Sequence, residues 1–194
     1  MTTPWKRLSA LAAALSALTA VAVPVAIAGG SRSTCAGATV KVTDHMKFVI
    51  NQYAQNGMRF SPATVSVNAG CRLTFTFAAP DQQKEAHSLS IVSRTDLPKT
   101  TAQMENCTIC GRIGAKHVEH PGTPPGPTNP IVHWIANVGK PGLDAPGDSI
   151  AISQGKGAPA GHRSIGILVS APKGTVLYFM CGLHPWMQGK IVVK

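Results

Sequence analysis

The run Arg72-Leu73-Thr74-Phe75-Thr76-Phe77 alternates strictly between polar and apolar side chains, and no other pattern limits the fold of this chain more. Successive side chains of an extended backbone point to opposite faces. Leu73, Phe75 and Phe77 therefore share one side and Arg72, Thr74 and Thr76 the other, as in a half-buried strand. Similar short runs recur at Thr39-Val40-Lys41-Val42-Thr43 and over 58–67, 87–92, 164–170, 175–181 and 190–194. Turns such as Asn68-Ala69-Gly70 and Pro172-Lys173-Gly174 divide them. Short strands joined this way predict an all-β domain, an antiparallel sandwich or barrel. With 44% hydrophobic and 13% charged residues among 194, the chain has enough apolar material for one sizeable core.

The two ends of the chain differ in kind. Lys6 and Arg7 precede an apolar run over 8–28, rich in Ala, Leu and Val, that closes on the small-x-small pattern Ala26-Ile27-Ala28. Residues 1–28 are expected to be an export signal, leaving 29–194 as one domain in the periplasm or outside the cell. The alternative is a retained anchor, since about 20 apolar residues can span a bilayer. Without that segment 16 basic and 8 acidic residues remain, a charge of +8 with His neutral. These charges are scattered rather than grouped in a basic stripe with aromatics, which argues against nucleic acid as a partner. Steering toward an acidic protein or, peripherally, an anionic membrane surface is the expected consequence. Residues 94–161 hold most of the prolines and little periodicity beyond 131–138 and 150–153. They predict a loop-rich insertion with one or two short strands.

Five cysteines, Cys35, Cys71, Cys107, Cys110 and Cys181, leave one thiol over in an oxidising compartment. With Cys181 set aside, three pairings are open, of which Cys35 with Cys71 and Cys107 with Cys110 is the simplest. The segment Cys181-Gly182-Leu183-His184-Pro185-Trp186-Met187-Gln188-Gly189 gives Cys181 other work. It presents a thiolate, an imidazole and a thioether at C-x2-H-x2-M, directly after the apolar run Val176-Leu177-Tyr178-Phe179-Met180. Soft sulfur suits Cu(I), imidazole suits both oxidation states, and a His2Cys set with a weak axial Met holds a copper that cycles between them. The second imidazole must come from elsewhere. His87, which opens a strand after Phe75 and Phe77, is expected ahead of His45, His133 and His162. A binuclear copper centre would need a second Cys in the ligand loop, and a multicopper oxidase paired His-x-His motifs; the sequence has neither.

A second cluster, Cys107-x2-Cys110 with His117 and His120, has the residue types for zinc or another copper. In an oxidising compartment a local disulfide with two surface histidines is expected instead. Gly111 follows Cys110, so the motif does not attach haem.

Three segments together resemble a known family. Phe60-Ser61-Pro62-Ala63-Thr64-Val65-Ser66-Val67-Asn68-Ala69-Gly70, His87-Ser88-Leu89 and the run from Cys181 through Val193 look like the cupredoxins of the plastocyanin/azurin superfamily, the type 1 (blue) copper proteins. The ligand loop is most similar to that of the amicyanins. The resemblance covers about residues 38–93 and 162–194. It implies a Greek-key β-sandwich, one mononuclear copper per chain on His87, Cys181, His184 and Met187, and single-electron transfer between redox partners, not catalysis, by a monomer. It also implies docking near His184, Pro185 and Trp186, with Met58 a further candidate for that apolar patch. Delivery or storage of copper is the alternative role. Two departures stand out: Ser88 where many members have Asn, and the long gap from His87 to Cys181.

Overall fold

Strand β6 (Arg72–Phe77) buries Leu73, Phe75 and Phe77 and leaves its polar residues outward, so the alternation in the sequence becomes one wall of a core. The structure is a computed structural model that describes residues 35, 37–78, 85–123, 125–126, 128–155 and 162–194. The expected export signal over 1–28 lies outside the described residues. Beside β6 lie β1 (Ala38–Thr43), β4 (Arg59–Ser61) and β10 (Ser164–Leu168), in the order β10-β6-β1-β4. A second sheet runs β5-β12-β11-β7-β9-β8, from β5 (Thr64–Val67), β12 (Gln188–Val193), β11 (Val176–Met180), β7 (His87–Val92), β9 (Ser149–Ile152) and β8 (Ile135–Ala136). Their inward residues form one buried cluster in which Phe60 meets Phe75 and Phe179 edge-on at 5.9 and 5.1 Å. An all-β sandwich of two sheets around one core, with a long insertion over 94–161, is thus the architecture of the described chain.

Three details differ from the expectation. The sandwich is not purely antiparallel, because β1 pairs with β6 and β5 with β12 in parallel. Each parallel pair is joined through strands of the opposite sheet, a long crossover that leaves strand direction free. The run over 58–67 is two strands: β4 joins β1 and β5 joins β12. Pro62, which has no N–H for a ladder, stands where the chain changes sheets. A separate hairpin of β2 (Met46–Val49) and β3 (Tyr53–Asn56) leaves Met46, Phe48, Ile50 and Tyr53 exposed.

The insertion holds the two short strands β8 and β9 but also two helices the sequence reading missed, α1 (Thr101–Glu105) and α2 (Thr108–Ala115), after a 3-10 turn at Arg94–Asp96. Both helices are too short for an apolar period to register. Their start signals are local: Thr100 Oγ accepts the Gln103 N–H at 3.2 Å, and Cys107 Sγ accepts the Cys110 N–H at 3.3 Å. The pair Thr100-x2-Gln103 was the available clue. No helix among the described residues is long and apolar enough to cross a membrane.

Candidate metal centre

The ligand loop is the connection between two paired strands. Cys181 follows β11, Met187 precedes β12, and the loop closes on itself: the Cys181 N–H donates to the Met187 carbonyl at 3.0 Å and the Met187 N–H to the His184 carbonyl at 2.8 Å. Strand β7 lies on the other side of β11, with Met180 opposite Ser90. That register sets the start of β7, where His87 sits, beside the start of the loop.

Among the described residues one group of His, Cys, Asp and Glu side chains converges as metal ligands do. His87, Cys181 and His184 offer ligand atoms that all lie within 4.8 Å of one another, and all three residues are buried. Cys181 Sγ stands 3.9 Å from His87 Nδ1 and 3.6 Å from His184 Nδ1. Met187 is buried in the same core cluster as Cys181. His45, His133 and His162 are outside the group: His45 and His133 are exposed, and His162 stacks on Trp134 at 4.3 Å.

The surroundings orient the donors. The Ser88 N–H donates to Cys181 Sγ at 3.4 Å, and Ser88 Oγ accepts the Gly182 N–H at 2.9 Å, so one residue holds both the sulfur and the backbone behind it. On His184 the outer nitrogen Nε2 lies 2.9 Å from Glu85 Oε2, which leaves Nδ1 directed at the sulfur. A carboxylate on the far nitrogen is the usual device for fixing which imidazole nitrogen meets a metal. Burial, then the neighbouring His184, lowers the His87 pKa to about 3. Burial also lowers that of His184 against the opposing pull of Glu85, and raises that of the Cys181 thiol against the hydrogen bonds from Ser88. Two neutral imidazoles, a thiol that gives up its proton to a metal and a buried thioether fit copper as a donor set.

Toward the surface, Leu183 and Trp186 are exposed beside His184, and the Trp186 ring meets His184 edge-on at 5.2 Å. Met58 does not join that patch as expected. It is buried, because its side chain turns into the core while its carbonyl accepts the Trp186 Nε1–H at 3.1 Å.

The second cluster does not assemble. Cys107 is bonded to Cys110, as Cys35 is to Cys71, which leaves Cys181 the free cysteine. His120 is exposed, whereas His117, expected at the surface, is buried with its ring between the His133 carbonyl and Ser149 Oγ.

No protein-family model and no curated protein matches the chain. Solved structures similar to it include a cupredoxin, plastocyanins, auracyanins and a multicopper oxidase from Campylobacter jejuni. A purple cupredoxin from Nitrosopumilus maritimus is 11% identical over 81% of this chain and 99% of its own, with a TM-score of 0.39. Auracyanin A, a blue copper protein from Chloroflexus aurantiacus, is 18% identical over 81% and 99%, with a TM-score of 0.37. The plastocyanin of Dryopteris crassirhizoma is 16% identical over 81% and 100%, also at 0.37. At this level of similarity the chemistry has to be read from the side chains.

Proposed function

We propose that this protein is an exported type 1 copper protein that carries single electrons, holding one copper through His87, Cys181, His184 and Met187. The observation that carries the reading is the convergence of two imidazole nitrogens on the one free, buried cysteine. Copper bound there would supply one-electron exchange between Cu(I) and Cu(II). The chain's own residues do the rest. Ser88 holds the sulfur and the loop behind it, Glu85 keeps His184 in one tautomer, and paired strands on both sides of the loop resist rearrangement when the charge changes. Both disulfides suit an oxidising, exported setting.

His184 is 8% exposed, with exposed Leu183 and Trp186 next to it, which favours this end of the molecule for brief docking of a redox partner. An acidic partner suits the basic chain, and the similarity of the loop to the amicyanins fits the same role. Burial of all four donors favours retention of copper over the delivery reading, since a delivery site must open to its acceptor. The test is metal content together with optical and electron paramagnetic resonance spectra of the copper-loaded protein. One copper per chain and an intense sulfur-to-copper band are expected, and Cys181→Ser should abolish the band. A band that survives the substitution would sink the assignment.

A further inference from the structure

Strand β7 has no solvent-facing side. All six of its residues are buried, with Leu89 and Ile91 in the main core and Val92 packed with Ile113 of α2. Ser88 and Ser90 share the Val92 face, and they begin a buried chain of hydroxyls. Ser88 Oγ, which accepts the Gly182 N–H, also accepts from Ser90 Oγ at 2.9 Å. Ser90 Oγ and Ser149 Oγ, directly opposed across β7 and β9, are 2.6 Å apart. Ser149 Oγ is 2.6 Å from His117 Nε2, and His117 Nδ1 meets the His133 carbonyl. None of Ser88, Ser90, Ser149 and His117 is more than 5% exposed.

Counting protons gives the chain a direction. A carbonyl only accepts, so His117 Nδ1 carries a proton. If the ring is neutral, Nε2 accepts the Ser149 proton. Because the geometry of the Ser88–Ser90 pair makes Ser90 the donor, the proton of Ser90 is then already given to Ser88, and the Ser90–Ser149 contact is left with none. If Nε2 is also protonated, it donates to Ser149, Ser149 to Ser90 and Ser90 to Ser88, and every link has its proton. We propose that His117, Ser149 and Ser90 are positioning residues for the metal centre, a chain that pins Ser88 Oγ onto the Gly182 amide and is completed by a proton on His117 Nε2. Its effect on a bound metal rests on the copper reading above; the chain itself does not.

The groups around His117 are few. Lys116 and His133 flank it, α2 presents the Gly114 carbonyl to its N–H, and His87 lines the same small cavity. On the β9 side Asp148, next to Ser149 in the chain, accepts from the amides of Val138, Asp144 and Ala145. Burial, more than any of these, works against the extra proton, so the complete chain belongs to the acid side of the ordinary His range.

The test is nuclear magnetic resonance on metal-free, 15N-labelled protein across pH, reading the His117 ring nitrogens and the Gly182 amide. The Gly182 signal is expected to move with the His117 midpoint. Ser149→Ala should remove that movement and speed Gly182 exchange roughly tenfold, the loss of about one hydrogen bond's protection. With copper loaded, the same substitution should shift the reduction potential and the sulfur-to-copper band without releasing the metal. A Gly182 amide that ignores both Ser149→Ala and the His117 titration overturns the proposal. A Gly182 response in a protein that never develops the copper band upholds the chain and rejects the copper reading. Should Ser149→Ala not fold, the titration of the unsubstituted protein decides alone: a shared midpoint upholds the chain, and independent behaviour overturns it.

Discussion

His87 and Cys181 are unfavourable residues to bury unless something is gained by it. Burial lowers the His87 pKa to about 3, while an imidazole in the unfolded chain titrates near 6.5. Between those values the unfolded chain binds a proton that the folded one refuses, so acid favours unfolding. The metal-free protein should keep this contribution above about pH 6.5 and lose it progressively toward pH 3. Denaturant midpoints over that range check the slope, and His87→Gln should flatten it. Cys181 errs in the other direction: a metal must displace a proton that burial holds on, so apparent metal affinity should rise with pH. Titration with a competing chelator at several pH values reads that trend. Ser88→Ala keeps the backbone bond to the sulfur but strands the Gly182 N–H. It should cost about 1–3 kcal/mol in denaturant unfolding.

At the scale of elements, the ligand loop is held from three sides, by β12, by β7 and by helix α2 of the insertion. The last contact requires glycine. A Cβ on Gly182 would stand 2.6 Å from Ile113 Cγ2, so the helix and the loop can approach only because position 182 has no side chain. Gly182→Ala should therefore destabilise the protein by about 1–3 kcal/mol. In an Ile113→Ala background, which lacks that Cγ2, the same substitution should cost distinctly less, a coupling that a double-mutant cycle measures. The insertion is itself pinned near this contact. Buried Asp148 gathers three amides ahead of β9, and the Cys107–Cys110 bond ties the first turn of α2.

For the whole molecule, the two disulfides differ in reach. Cys35–Cys71 closes a separation of 36 residues and Cys107–Cys110 one of 3. Because the constraint on the unfolded chain grows with loop length, replacing the first pair by Ser should cost about 2–4 kcal/mol and replacing the second distinctly less, as thermal unfolding would show. The strands were legible in the sequence because a half-buried strand writes its environment into every second residue, as Leu73, Phe75 and Phe77 do. The loop side of the candidate metal centre was legible too. Cys181, His184 and Met187 are so close in the chain that local geometry alone brings them together. What residues 94–161 do was not legible. The alternation Ser88-Leu89-Ser90-Ile91 reads as a strand with a wet face, and nothing nearby in the chain says that α2 packs against it. Short helices without a measurable period, parallel pairs made through the opposite sheet and the burial of His117 all depend on contacts between segments far apart in the chain. The sequence by itself determined the sandwich and the sulfur, imidazole and thioether donors of one loop. Only the tertiary structure decided that His87 meets Cys181 and His184 and that the insertion reaches the loop through Ser88, because both follow from packing across distances in the chain that no local pattern records.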